Sequence, residues 1–177
     1  MIAIVTATVF LIGLAYYVWK QSQQRRIAIE GIQFKPNDPN TDYGRMINNP
    51  DFNNALFIFN DNTSGYGTGG NACIRGKDRA LGLPTGHIES GPNQSAGGFT
   101  TLDEAETYIP PAINAIRDYV SGHPEIERVF YCCDSAGLLG VGIFAQQLSV
   151  GEGPQILQYA TDQIHSLGDF KGPDGPY

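Results

Sequence analysis

The sequence predicts an α/β fold, in which buried strands alternate with helices that pack on the sheet. Two short runs of uninterrupted apolar residues, 56–59 and 129–132, have the composition of strands that are covered on both faces. Between and after them, apolar residues recur at helical spacing over residues 112–120 and 155–167. Such an alternation is typical of a layered α/β domain.

The first long helix has a clear start signal. Thr101 and Glu104 have the spacing of a capping box, in which each side chain satisfies a free backbone amide at a helix start. Pro110 and Pro111 lack amide donors, so we expect them to break this helix or to begin a new one. The sequence therefore predicts a helical region that begins near residue 101 and is interrupted near residue 110.

Shorter elements are predicted around these segments. Residues 71–75 favour a short helix, residues 80–84 a further strand, and residues 86–98 a polar loop. Pro154 is placed to start the last helix, and Gly168 is placed to stop it.

The composition excludes several classes of protein. The 177 residues carry a formal net charge of −7, so the chain is a poor binder of polyanions and no nucleic acid is expected as a partner. Three cysteines cannot all pair with one another, and Cys132 and Cys133 are adjacent, which argues against a disulfide framework. Glycine accounts for 22 residues, which indicates loops that approach a ligand or a partner closely.

The N-terminal segment has the pattern of a membrane span. Residues 1–19 contain no charged side chain and are long enough to cross the hydrocarbon core of a bilayer. Lys20, Arg25 and Arg26 follow directly, and basic flanks remain on the cytoplasmic side. We therefore expect a single-pass membrane protein with a transmembrane helix at residues 1–20, its N-terminus outside the cytoplasm and its domain on the cytoplasmic face. A buried core helix is one alternative, and a cleaved signal peptide, which would need basic residues before the apolar run, is another.

The rest of the chain divides by composition into three parts. Residues 21–49 are polar and contain Pro36 and Pro39 among turn-forming residues, so they predict a linker with little structure of its own. Residues 50–168 form the predicted α/β domain, and residues 169–177 form a tail that is rich in proline and glycine.

Two glycine-rich loops, residues 60–72 and 134–144, each follow a predicted buried strand. In α/β sheets, ligands bind beyond the carboxyl ends of the strands, and glycine lets the backbone approach a phosphate group. We therefore expect both loops to contribute to one groove that accepts a phosphate-bearing ligand. The residues predicted to bind this ligand are Asn62, Gly67, Gly69, Gly70, Gly140, Val141, Gly142, Ile143 and Phe144.

The sequence signals for catalysis are weak. Asp61 and Asp134 are the only acids placed beside the two loops, and turn formation explains each of them equally well. Cys132 and Cys133 lie in a predicted strand, where core packing is the favoured role. No spacing of cysteine and histidine resembles a metal site, so no metal is predicted. Because the acids and cysteines are explained by turns and core packing, no catalytic residue is predicted either, and a protein that is not an enzyme is favoured.

The residues of the two loops resemble those of macro domains, which bind ADP-ribose. Asn60, Asn62 and the glycine cluster at residues 67–70 look like the first ligand loop of that family, and residues 140–144 look like its second, phosphate-gripping loop. Residues 49–168 are more closely similar to macro-domain-like proteins of unassigned function that large DNA viruses encode. The runs that carry this similarity are 54–75, 82–86, 98–102, 128–131 and 137–140.

This resemblance implies a macro-domain-like fold, in which a mixed sheet and flanking helices form three layers, preceded here by one transmembrane helix. It also implies that Asn62 contacts the distal ribose, that the glycine amides hold the diphosphate, and that Phe144 packs on a sugar or base. Macro domains usually carry an aspartate for adenine near an earlier strand, whereas no matching motif surrounds Asp38, Asp42 or Asp51.

Two functions are compatible with these observations. The membrane segment, the linker and the tail favour a membrane-anchored structural component of a large DNA virus particle, that is, a minor capsid or inner-membrane-associated protein without a cofactor. Its expected partners are the lipid bilayer and other capsid or membrane-associated chains. The alternative is a membrane-tethered module that binds ADP-ribose or a related nucleotide, or an ADP-ribosyl hydrolase.

Overall fold

A computed structural model describes residues 27–88, 96–140, 142 and 147–172 of the chain. Within these ranges, seven strands and three α-helices are connected by turns and short 3-10 helices. The strands are β1 (Ala28–Ile32), β2 (Ala55–Asp61), β3 (Ala80–Pro84), β4 (Gly86–Ile88), β5 (Ala96–Gly98), β6 (Arg128–Cys132) and β7 (Asp169–Phe170). The α-helices are α1 (Tyr43–Met46), α2 (Leu102–Gly122) and α3 (Gly153–His165), and the 3-10 helices are Pro50–Phe52, Gly70–Ile74 and Gln147–Ser149.

Five strands form one sheet in the order β3-β2-β6-β1-β7, and every neighbouring pair in it is parallel. The strands predicted from the two apolar runs, β2 and β6, are confirmed as interior strands. Phe57 of β2 is paired with Phe130 of β6, and their rings are stacked with centroids 5.5 Å apart. Both rings are fully buried, because elements cover both faces of the sheet.

The mixed sheet predicted for this domain is wrong, since the five-stranded sheet is parallel throughout. Among the described residues, antiparallel pairing between strands occurs only in the separate hairpin of β4 and β5, where Gly86 lies opposite Gly98. The hairpin also replaces part of the polar loop expected at residues 86–98. A Cβ at Gly86 would lie 2.2 Å from the Gly97 carbonyl oxygen, so two glycine-containing strands are needed for this close approach.

Two segments outside the predicted domain supply strands of the sheet. β1 lies within residues 21–49, which were expected to be a linker, and β7 lies within the tail expected at residues 169–177. Ile29 and Ile32 of β1 are almost completely buried, because their side chains point to opposite faces of the sheet and both faces are covered. The domain therefore begins before residue 50 and continues past residue 168.

The two faces of the sheet are covered differently. Strand residues alternate between faces, so Leu56 and Ile58 pack with α2 and α3, whereas Phe57 and Phe59 pack with α1 and the 3-10 helices Pro50–Phe52 and Gly70–Ile74. The second face is rich in aromatic side chains, which form edge-to-face contacts around Phe57. The two glycine loops begin at the carboxyl ends of β2 and β6, at one edge of this covered sheet.

The capping box at Thr101 and Glu104 is confirmed, but α2 continues without a break through Pro110 and Pro111. Ile109 and Ile113 are both buried on the same side of the helix, so tertiary packing spans the proline pair. The residues four positions earlier, Glu106 and Thr107, are exposed, and water can therefore satisfy the carbonyl groups that lose their amide donors. Core packing thus outweighs the local signal for a break.

The expectation of a single-pass membrane protein is corrected by the helices that the structure describes. None of the helices in residues 27–88, 96–140, 142 and 147–172 is long and apolar enough to cross a membrane. The segment predicted as the transmembrane helix, residues 1–20, lies outside the described residues.

Candidate functional site

A cavity of about 420 Å³ lies where the carboxyl ends of β1, β2 and β6 meet. Parallel strands direct these ends to the same edge of the sheet, and the loops that follow them form the cavity wall. Six of the nine residues predicted to bind a ligand line this cavity, whereas Val141, Ile143 and Phe144 lie outside the described residues. The six are Asn62, Gly67, Gly69, Gly70, Gly140 and Gly142.

The glycines of the first loop present bare backbone to the cavity. A Cβ added at Gly67, Gly69 or Gly70 would meet no atom within 4 Å. Gly67 and Gly70 have φ angles of 93° and 57°, values that side chains disfavour. Among the described residues, none accepts a hydrogen bond from the backbone amides of these three glycines. Their N–H groups are therefore available to a ligand that accepts hydrogen bonds.

Asn62 organises this loop through its side-chain amide. It is 8% exposed, and its Oδ1 accepts hydrogen bonds from the backbone amides of Ser64 (3.0 Å) and Tyr66 (3.3 Å). Its Nδ2 donates to the carbonyl oxygen of Tyr66 at 2.6 Å. Both ends of the amide are thus engaged by the loop itself, so Asn62 shapes this turn. The ribose contact that the resemblance implies for Asn62 stays a prediction.

Arg75 is a cavity-lining residue that the sequence reasoning did not assign to the site. Its guanidinium forms a bidentate pair with Asp61, with N–O distances of 2.7 and 2.5 Å, and its Nε donates to the Gly67 carbonyl oxygen at 2.7 Å. The same guanidinium lies 5.0 Å from the ring centroid of Phe59. Arg75 lies fourteen positions after Asp61 in the chain, and no spacing rule in the sequence signals such a pair.

The Asp61–Arg75 pair also decides the charge of the cavity. These are the only charged side chains among the described residues that line it, and they neutralise each other. Gly82 permits this arrangement, because a Cβ at that position would lie 2.2 Å from Asp61 Oδ2. An anion in the cavity would therefore interact mainly with backbone amides, since no charged side chain is unpaired among the lining residues that the structure describes.

Asn60 connects the first glycine loop to the second. Its Nδ2 donates to the carbonyl oxygen of Gly140, and its Oδ1 accepts from Asn71 Nδ2 at 3.1 Å. Its backbone amide donates to Asn71 Oδ1 at 3.3 Å. These bonds fix the distance between the two walls of the cavity, a role that the position of Asn60 at the end of β2 makes possible.

The second loop is attached to the core by hydrogen bonds that involve the sheet and α3. The Tyr131 hydroxyl donates to the Gly137 carbonyl oxygen (2.8 Å) and contacts His165 Nε2 (2.9 Å). Burial raises the pKa of Tyr131, so the hydroxyl keeps its proton and remains a donor. Burial also lowers the pKa of His165, which favours the neutral ring, and its Nε2–H can donate to the hydroxyl oxygen.

The two acids considered for catalysis are both used to hold the loops. Asp61 is paired with Arg75, and Asp134 Oδ1 accepts hydrogen bonds from the amides of Ala136 (2.8 Å) and Leu138 (3.0 Å). Asp61 is thus paired with a cation at the cavity, and Asp134 does not line the cavity. These contacts support turn formation as the role of Asp134.

The two adjacent cysteines are buried, as predicted, and they also contribute to the lining of the cavity. Burial raises the pKa of the Cys132 thiol to about 11. Because the thiol is the poor nucleophile of the thiol–thiolate pair, Cys132 provides an apolar surface to the cavity and not a reactive group.

Residues 45–162, about two thirds of the chain, match the model of a family of unknown function, DUF7831. No curated protein matches the chain, and no solved structure matches it. The resemblance to macro domains and to viral macro-domain-like proteins therefore stays a prediction.

Proposed function

This chain belongs to DUF7831, a family of unknown function, and we propose that it is a binding module for a phosphate-bearing ligand of the nucleotide class. The observation that carries this proposal is that the backbone amides of Gly67, Gly69 and Gly70 have no hydrogen-bond acceptor in the described part of the chain. These three glycines border the cavity at the carboxyl ends of parallel strands. Backbone amides that converge on one space are a common means of binding phosphate oxygens.

The electrostatics of the cavity narrow the class of ligand. Because Arg75 is neutralised by Asp61, no free cation among the described lining residues compensates a doubly charged terminal phosphate. A diphosphate that bridges two groups carries one charge on each phosphate and suits neutral amide donors better. The volume of the cavity, about 420 Å³, lies within the usual range for small-molecule sites, which supports a ligand such as ADP-ribose over a polymer.

Binding without hydrolysis is the favoured activity. Asp61 and Asp134 are the acids nearest to the two loops, and both are engaged in the contacts that shape them. A hydrolase would need a positioned general base at the cavity. The role of a structural component in a virus particle stays a prediction from the sequence.

The proposal is tested by calorimetry of the full chain with ADP-ribose, AMP and inorganic phosphate. Gly70→Val places a side chain in open space at the cavity and should weaken ADP-ribose binding by at least about tenfold, since it covers the free amides. Gly151→Val is the matched control, because Gly151 has nearly the same φ (59° against 57°), equally open surroundings and no place in the cavity lining.

We expect ADP-ribose to bind more tightly than AMP, and Gly151→Val to leave this binding unchanged. Equal weakening by both variants would attribute the effect to backbone strain and would contradict the proposed site. Absence of binding by the unmodified chain at millimolar ADP-ribose would reject the function itself and favour a structural role.

A further inference from the structure

Three side chains, one from the first glycine loop and two from neighbouring elements, contact one another in series at the surface. Thr63 follows β2, His87 lies in β4, and Glu104 lies in the first turn of α2. The distance from Thr63 Oγ1 to His87 Nδ1 is 3.0 Å, and the distance from His87 Nε2 to Glu104 Oε1 is 3.4 Å. None of the three lines the cavity, so this cluster is separate from the proposed ligand site.

The carboxylate at one end of this line is fixed in place. Glu104 Oε2 accepts hydrogen bonds from the backbone amides of Thr100 (2.7 Å) and Thr101 (3.3 Å) as part of the capping box. These bonds lower the pKa of Glu104, so the group stays ionised near neutral pH. Its other oxygen, Oε1, is directed to the imidazole of His87.

The imidazole is held in one orientation by its neighbours. The rings of Phe99 and Tyr108 contact it edge to face, with centroid distances of 5.1 and 5.6 Å. A carboxylate beside Nε2 favours the tautomer with the proton on that nitrogen. Nδ1 is then the acceptor, and the Thr63 hydroxyl donates to it, which is the direction of proton transfer that activates a hydroxyl.

We propose that Thr63 is an activated nucleophile for small carboxylic esters, with His87 as its general base and Glu104 as a positioning residue. Thr63 Oγ attacks the ester carbonyl carbon and forms a C–O bond, while its proton passes to His87 Nδ1. The bond to the leaving oxygen breaks, and that oxygen takes the proton from His87. The products are an acyl ester of Thr63 and the free alcohol or phenol.

The surroundings of Thr63 fit a small acyl substrate. Thr63 is exposed, and its backbone amide donates to the Gly86 carbonyl oxygen at 3.0 Å, which holds it against β4. Tyr108 is 40% exposed and stacks on Phe99, with centroids 5.6 Å apart. Because Phe99 is buried, the exposed part of the Tyr108 ring beside His87 provides the apolar surface for the acyl group.

The test uses p-nitrophenyl acetate with the full chain, and the acetylated residue is identified by peptide mass spectrometry. The reaction is run in a Cys73→Ser background, because the exposed thiol of Cys73 would also react. We expect Thr63 to be acetylated with release of p-nitrophenol. His87→Gln should slow this acetylation by about a hundredfold, the usual contribution of a general base.

Thr68 provides the matched control, because it is an exposed threonine of the same loop that no histidine contacts within the described residues. Thr68→Val should leave the reaction unchanged, and Glu104→Gln should slow acetylation of Thr63 but not of Thr68. Thr63→Ser should keep the reactivity that Thr63→Val removes, which separates chemistry from folding. Acetylation of Thr63 no faster than that of Thr68, or an unchanged rate in His87→Gln, would overturn the proposal.

Discussion

The two loops that border the cavity are stabilised in different ways. The loop after β2 is shaped by contacts close to the cavity, from Asn62 within the loop and from Arg75, which follows the 3-10 helix Gly70–Ile74. The loop after β6 is instead attached to the core, through Tyr131 in the sheet and Thr161 in α3, whose hydroxyl accepts from the Leu139 amide at 2.9 Å. Because side chains hold the loop after β2 in shape, its backbone amides can stay unbonded. The loop after β6 is attached to the core and forms the fixed side of the cavity.

Removal of the guanidinium at Arg75 should cause the largest loss of stability and should loosen the first loop but not the second. Arg75→Met leaves the carboxylate of Asp61, whose side chain is 13% exposed, without its partner and releases the Gly67 carbonyl. We expect a loss of about 3 kcal/mol in the free energy of unfolding, measured by denaturant titration. Hydrogen exchange should become faster in residues 62–70 but not in residues 134–140.

Arg128→Met is the matched control for this prediction. Arg128 forms a comparable bidentate pair with Glu30, with N–O distances of 2.7 and 2.8 Å, at a place remote from both loops. It should lower stability without a selective change of exchange in either loop. Faster exchange in both loops of Arg75→Met would show that the two are one cooperative unit.

The next effect is expected at Asn62. Asn62→Ala removes three hydrogen bonds and exposes the amides of Ser64 and Tyr66, with an expected loss of about 2 kcal/mol. ADP-ribose binding should fall together with stability, because the free amides of the glycines are oriented by this turn. A variant that binds normally would show that the first loop does not depend on its own side chains.

Tyr131→Phe tests the anchor of the second loop. It removes one hydroxyl, which leaves the Gly137 carbonyl and His165 without that partner, and should cost about 1 kcal/mol. Because Asp134 still holds its two amides, the loop should keep its shape, and ligand affinity should change less than in Asn62→Ala. A larger loss of binding than in Asn62→Ala would reverse the contrast between the loops.

The same contrast explains which parts of the molecule could be read from the sequence. The apolar runs of β2 and β6 and the capping box of α2 are local patterns, and the structure confirms them. The glycines that line the cavity were found because they follow buried strands. A local sequence pattern is therefore sufficient to predict an element whose conformation is determined by its own residues.

Features that depend on distant partners were missed. β1 is a short segment followed by turn-forming residues, and only its pairing with β6 and β7 makes it a strand. The continuity of α2 through Pro110 and Pro111 depends on buried residues on both sides of the prolines. The Asp61–Arg75 pair joins positions without any helical or strand spacing, so it became visible only in three dimensions.

The smallest expected effect is a dependence of stability on pH that is caused by His165, the partner of Tyr131 near the second loop. Burial lowers the pKa of His165 in the folded state, whereas an unfolded histidine has a pKa of about 6.5. The unfolded state therefore binds a proton first as the pH falls, so this contribution to stability is complete above about pH 6.5 and is lost as the pH falls toward the folded pKa. Because the ring is partly exposed, solvent screening should keep the change below about 1 kcal/mol.

Thermal unfolding between pH 7 and pH 5 measures this change, and His165→Gln should remove it. Glu104 does not interfere, because its lowered pKa affects stability only at and below about pH 4.3, where the unfolded carboxyl titrates. If the protein and its His165→Gln variant lost stability in parallel over this range, the ring would not be the group that responds. The link from His165 through Tyr131 to Gly137 would then hold the second loop independently of proton binding.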